Sequence, residues 1–297
     1  MPTTLTRMTP KISTLLLTSL FLLPVLASFA TSSVESRLPQ AAEAEEKFFQ
    51  LLNHQPQERD AALRDLMLAY VLDPGDARTN LLIGLNHLWL AAEGDFNDPR
   101  VLEHVYLAEA FLERAQELNP DDARIPSWLL PARMARANFE RDFAAVREAK
   151  KQLIEAYESD PNFHAFVVGT QSFADDRDSE SFAFGLEAMR SATGCAGSDD
   201  PTCDNHPRWP HNAEAFLVLA ADFEAKAGQA EQAQALLRQV QSIDSYSNWP
   251  YRDAVDERLR DLSQRVELYG NDDPDDDPPS LFTADNRMTC QACHRTK

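Results

Sequence analysis

Apolar residues return along this chain at steps of three and four, and nowhere do they alternate for long enough to ask for a strand. The periodic stretches predict helices over residues 40–54, 58–72, 77–92, 101–118, 126–138, 141–158, 163–174, 179–192, 212–227, 229–243 and 250–268. Three of them share one spacing: Ala62, Leu66, Ala69 and Pro74; Ala108, Leu112, Ala115 and Pro120; Ala149, Leu153, Ala156 and Pro161. Positions i, i+4 and i+7 lie on one helix face, alanine lets a neighbouring helix come close, and the proline follows a turn residue, Asp73, Asn119 or Asp160, that ends the helix. Each motif therefore marks the second helix of a helical hairpin. A further hairpin runs from Ala213 to Lys226, turns at Ala227 and Gly228, and returns with Ala233, Leu237 and Val240 inward. Turn-forming residues make long inter-helix loops at 93–100 and 197–210.

This pattern resembles the tetratricopeptide repeat family, whose second helix carries Ala-x3-Phe-x2-Ala-x4-Pro, here with leucine at the aromatic position. The resemblance covers roughly residues 40–245, and Ile83-Gly84 is the one good match to the Leu-Gly pair of the family's first helix. It implies an all-α array of helical hairpins with a groove for protein partners. The prolines lie 46 and 41 residues apart where the family spaces them by 34, so the expected array carries insertions and is irregular. An ordinary helical bundle with recurring alanines is the alternative.

Outside the repeats the composition shifts twice. Residues 1–30 hold Arg7, Lys11 and no acid, then an apolar run from Ile12 to Leu23, then Ser28-Phe29-Ala30 as a small-x-small cleavage site. They are expected to be a signal peptide that sends the mature chain to a periplasm or outside the cell; an uncleaved anchor is the alternative, weakened by Pro24 and the short run. No other stretch approaches a membrane span. The repeat domain is then expected over 31–269. Residues 270–289 hold six aspartates and three prolines in an acidic linker expected to stay extended and solvated, spanning about 25 Å as a flexible chain.

Glycine is scarce, with nine in the 297-residue chain, which suits helix over sheet. The net charge of −20 becomes −22 once Arg7 and Lys11 leave with the leader. Such a surface repels phosphate backbones and anionic lipid, so nucleic acid and membrane surfaces are not expected partners.

The strongest chemistry is in the tail at 290–297, where Cys290-Gln291-Ala292-Cys293-His294 spells Cys-x-x-Cys-His, the attachment signature of c-type haem. Each thiol can add to one vinyl group, and the histidine then falls beneath the iron as proximal ligand. The chain resembles cytochromes c in these five residues alone. Only three residues follow His294 and Met288 lies too close to cross to the other face, so a distal ligand is expected from upstream or from a partner. His206 and His211, flanking Trp209 in a loop, are the candidates. His87, His104 and His164 fall in predicted helices, where packing roles suit them equally. A second histidine would make a low-spin electron-transfer centre and an open site would bind small ligands; aspartates near the iron would lower its potential. The remaining cysteines, Cys195 and Cys203, close a Gly, Ser, Asp and Pro loop and are expected to form a structural disulfide.

Two other uses of the tail stay open: Cys290 and Cys293 as a redox disulfide, or Cys290, Cys293 and His294 as ligands of zinc or copper. No activated serine, phosphate loop or nucleotide fingerprint stands out, and Glu45 and Glu46, expected on an exposed helix, give no reason to name a catalytic pair. The sequence therefore points to an exported all-α repeat protein carrying one covalent haem c. It would serve as an electron-transfer or haem-bearing subunit docking to redox partners, and enzymatic activity is not the first expectation. A scaffold for protein assembly, whose tail binds another metal or is structural, is the alternative.

Overall fold

A computed structural model describes residues 37–54, 58–159, 161–193 and 213–281 apart from 272 and 274, with the residue pairs 283–284 and 287–288. These residues fold as an all-α protein of eleven α-helices: α1 (Pro39–His54), α2 (Arg59–Leu72), α3 (Ala77–Ala92), α4 (Pro99–Leu118), α5 (Arg124–Glu140), α6 (Phe143–Ser159), α7 (Pro161–Ser172), α8 (Glu180–Thr193), α9 (Ala213–Lys226), α10 (Ala230–Gln241) and α11 (Arg252–Tyr269). Each predicted helix is present with both ends within two residues of expectation.

The helices pack as consecutive hairpins, α1 on α2, α3 on α4, α5 on α6, α7 on α8 and α9 on α10, and α11 closes the far end against α9 and α10. Helices α1, α3, α5 and α7 also touch one another in order, which lines up the first helix of each pair along one side. The recurring Ala-x3-Leu-x2-Ala face explains the pairing. Ala62, Leu66 and Ala69 of α2 are buried, as are Ala108, Leu112 and Ala115 of α4 and Ala233, Leu237 and Val240 of α10; Ala149 and Leu153 of α6 are buried, with Ala156 at the edge. The turns follow the sequence as well. Asp73 and Asn119 cap α2 and α4 at their C-termini, each donating its N–H to the carbonyl four residues back at 2.9 Å, and Asp160 lies outside the described residues. At the α9–α10 turn Gly228 takes φ +78°, which lets the Gln229 N–H reach the Glu224 carbonyl at 2.8 Å.

Gly84 allows the tightest of these approaches. A Cβ there would stand 2.6 Å from Leu112 Cγ and 3.2 Å from the Ala108 carbonyl oxygen, so α3 meets α4 backbone to face. Of the four apolar clusters among the described residues, the two largest lie one over α1–α5 and one from α5 to α11, and Trp128 of α5 packs against both.

Two expectations change. Where no strand was expected, the chain beyond α11 makes a minimal antiparallel pair, Thr283–Ala284 with Arg287–Met288, with Thr283 opposite Met288. The acidic segment from Gly270 is not solvated along its whole length: Pro278 and Ser280 are buried, and Leu281 packs against the larger cluster. Expecting only repulsion among aspartates overlooked the carbonyl groups of the prolines, which meet buried donors. Among the described residues no helix is long and apolar enough to cross a membrane.

Gly84→Ala tests the close approach. Alanine would favour an isolated helix by about 1 kcal/mol, but here its methyl meets Leu112 on a side that cannot swing away, so urea unfolding is expected to show a net loss of about 1–3 kcal/mol.

Candidate functional site

Cys290, Cys293 and His294 lie outside the described residues, as do His206, His211, Cys195, Cys203 and the leader at 1–30. Among the described residues no group of three or more His, Cys, Asp or Glu is placed to hold a metal ion.

Three other histidines, His87, His104 and His164, are engaged in packing. His164 Nδ1 hydrogen-bonds Ser127 Oγ with both residues fully buried, so no substrate reaches that serine. His87 of α3 stacks on His104 of α4 with ring centroids 5.2 Å apart and the two Nδ1 atoms 3.1 Å apart, so one ring must donate and the other accept. Burial, then the neighbouring His104, pulls His87 down to about 4, so it is neutral at pH 7. Glu45 departs from expectation: it is buried, at 4% exposure, while Glu46 is exposed. Burial alone would raise its carboxyl, but Arg78 and Arg37 hold it below the usual range, with Arg78 Nη2 donating at 3.0 Å. This acid fastens α1 to α3 and has no free lone pair facing a cleft.

Two features have the character of a site. The first is a cavity of about 530 Å³, walled chiefly by the first helices of successive hairpins, with Val101 and Val105 of α4. Phe48, Trp89, Trp128 and Phe166 supply aromatic surface from α1, α3, α5 and α7, and Met134 and Pro131 complete the α5 wall. Not one of its lining residues is charged, on a chain of net charge −20. The final turns of three helices contribute Ala92, then Asn138 and Phe139, then Thr170 and Gln171, and Phe96 follows α3. Phe96 and Phe139 are 44% and 38% exposed, so the mouth opens at this end. A concave apolar volume of this size with few polar groups is what small-molecule and cofactor sites share.

The second is a buried polar cradle between α9 and α11. Asp222 accepts two hydrogen bonds from Arg258, at 2.8 and 2.9 Å, and a third from Arg265 at 3.2 Å. Two guanidiniums on one carboxylate leave a surplus positive charge and unused donors, and the tail supplies the acceptors. The Pro279 carbonyl accepts from Arg265 at 3.0 Å, and the Pro278 carbonyl accepts from the Tyr269 hydroxyl at 2.8 Å. Burial, then Asp222, raises the Tyr269 phenol well above its ordinary value, which keeps it protonated as the donor. Beside them Lys226, buried, lies over the rings of Phe173, Phe182 and Tyr269 and pairs with Asp277 at 3.0 Å.

The two features are at the same end of the molecule. Phe166 packs near Phe216 at 6.2 Å between ring centroids, and Phe173 near Phe223 at 5.1 Å. Both pairs advance by seven residues, so α7 and α9 run parallel. Lys226 Nζ lies 5.4 Å from the Phe173 ring and Tyr269 lies 6.2 Å from it, just past the last turn of α7, where Thr170 and Gln171 line the cavity.

Sequence reasoning missed both. A signal for the cradle existed: Asp222 breaks an apolar run in α9, and Arg258, Arg265 and Tyr269 fall at steps of seven and four on one face of α11. The cavity had none, because its lining residues look like core in the sequence.

Asp222→Ala would leave two buried arginines without their carboxylate, an expected loss of about 3–5 kcal/mol in urea unfolding, with faster protease cleavage between Asp275 and Leu281. The histidine pair makes a pH-dependent prediction. The unfolded imidazole titrates near 6.5 and the folded His87 near 4, so acid favours the unfolded chain: this contribution to stability is complete above pH 6.5 and is lost as the pH falls toward 4. His87→Asn should lose less stability than the parent between pH 7 and about pH 4.5, measured by thermal melts.

No protein-family model, curated protein or solved structure matches this chain.

Proposed function

We propose that this chain is an exported, tetratricopeptide-like helical repeat protein that carries one covalent haem c at its C-terminal tail and serves as an electron-transfer or haem-bearing subunit for protein partners. The observation that carries the proposal is the run Cys290-Gln291-Ala292-Cys293-His294, in which two thiols and an imidazole have the spacing that haem attachment requires. Cys290 and Cys293 hold the macrocycle by thioether bonds, and His294 binds the iron. When bound, haem supplies a one-electron centre whose potential follows ligand, burial and nearby charge.

Other features suit this role. The repeating hairpins offer side chains along an extended side for protein contact. The cradle of Asp222, Arg258, Arg265 and Tyr269 holds the chain at Pro278 and Pro279, eleven residues before Cys290, so the tail starts from a fixed point. The uncharged cavity offers apolar surface at the same end. Apart from its leader the chain has the acidic balance of a protein that avoids nucleic acid and anionic lipid.

A scaffold role has one observation in its favour. Met67, Leu68, Val71 and Leu72 make a contiguous exposed apolar stripe on α2, from 36% to 72% exposed, suited to a protein contact. The tail would then bind another metal or be structural.

The test is expression of the full chain in a bacterium with a cytochrome c maturation system. A reduced pyridine haemochrome spectrum of c type, with haem mass retained after denaturation and lost in Cys290→Ala/Cys293→Ala, is the expected result. Uncoloured protein at the mass of its sequence would overturn the haem reading and leave the scaffold.

A further inference from the structure

We propose that the uncharged cavity walled by α3, α5 and α7 is the seat of the haem carried on Cys290 and Cys293; this rests on the haem reading above. Three observations converge on that occupant. First, the wall chemistry suits a flat apolar ring system: Trp89, Trp128 and Phe166 face a volume of about 530 Å³, and no charged side chain lines it. The few polar groups, Asn138, Thr170 and Gln171, are in the final turns of α5 and α7, at the solvent-open end where the charged edge of a porphyrin would remain.

Second, the chain is delivered to that end. Arg265 and Tyr269 fix the carbonyls of Pro279 and Pro278, and the Tyr269 ring lies 6.2 Å from that of Phe173, two residues beyond Gln171 of the cavity lining.

Third, the remaining chain is short. Thr283 pairs with Met288, so the hairpin returns to where it began. Cys290 is two residues beyond Met288, at most about 7 Å of extended chain. Chain length alone thereby keeps Cys290 within about 20 Å of Leu281, and Leu281 packs against the apolar cluster that contains Val167 of the cavity wall. A lipid tail or a partner's apolar helix would suit the aromatic wall too, but neither explains why the tail is fixed at this end.

The test uses the full-length holoprotein beside full-length Cys290→Ala/Cys293→Ala, with haem load measured by haemochrome. Nile red, a neutral apolar dye, is the probe. The cysteine variant is expected to take up the dye with a strong fluorescence gain, and the holoprotein to exclude it. In the holoprotein, Phe96→Glu/Phe139→Glu should abolish the Soret circular dichroism band while haem load and helical content stay at parent levels. Equal dye uptake by loaded and unloaded chains, no uptake by either, or an unchanged Soret band in the glutamate variant would each overturn the seat while leaving the covalent haem in place. Should the glutamate variant fail to fold, the dye comparison decides alone. Absence of haem from the parent chain would overturn the haem reading itself, and the seat with it.

Discussion

One carboxylate shared by two buried arginines governs the far end of this molecule. Asp222, Arg258 and Arg265 are each at most 7% exposed, and removing three charged groups from water costs several kcal/mol apiece unless their hydrogen bonds are nearly complete. Asp222 has only enough oxygens to satisfy part of two guanidiniums. Donors are left over, and they fix the carbonyl of Pro279, while the Tyr269 hydroxyl fixes that of Pro278. Proline is well placed to supply them. It offers an acceptor without a donor that would itself need a partner, and its fixed φ holds the chain extended across the two helices. A buried triad of this kind adds little net stability compared with an apolar cluster of equal size. What it does add is position: a polypeptide that acidic repulsion would keep in water is held at one place.

The helices were legible because their information is local. Ala62, Leu66 and Ala69 fall on one face whatever the rest of the chain does, and Asp73 followed by Pro74 ends that helix by geometry alone. Even Pro131, which removes a hydrogen bond inside α5, does not break the pattern, because Leu129, Leu130, Ala132 and Met134 around it are all buried and packing outweighs the loss. Gly84 was legible in part: with Ile83 it matched the Leu-Gly pair of the family's first helix, but that it lies against Leu112 and Ala108 needed the fold.

What was not legible depends on partners distant in sequence. Glu45 looks like a surface acid until Arg78, 33 residues on, and Arg37 enclose it. Composition alone makes Asp277 part of a solvated run, and Lys226, 51 residues earlier, gives it a place. In each case a charge that reads as solvated is paired, because the pairing needs the fold to exist first. The cavity is the extreme instance. Val101, Val105 and Met134 have the periodicity of core residues, and they are largely buried, but α3, α4, α5 and α7 together leave a volume that their side chains do not fill.

The charge distribution gives these features a common sense. A chain of net charge −20 has an interior cleft without a single charged lining residue, and a short buried positive surplus next to it. In a medium of low polarity the attraction between a carbonyl dipole and an underpaired guanidinium is stronger than at the surface and is little screened by salt. The surplus therefore acts over a few ångströms and selects acceptors that lie directly against it, while the acidic exterior repels anionic competitors. Under the haem reading this separates two tasks. The cradle determines where the tail begins, by directional hydrogen bonds, and the aromatic wall determines where its cargo rests, by apolar contact that has no direction of its own. Neither would suffice alone: an apolar wall accepts any greasy surface, and a fixed tether without a seat would leave a large hydrophobic ring in water. Together they confine it to one end of the array and leave the outer helices, α2 among them, open to partners.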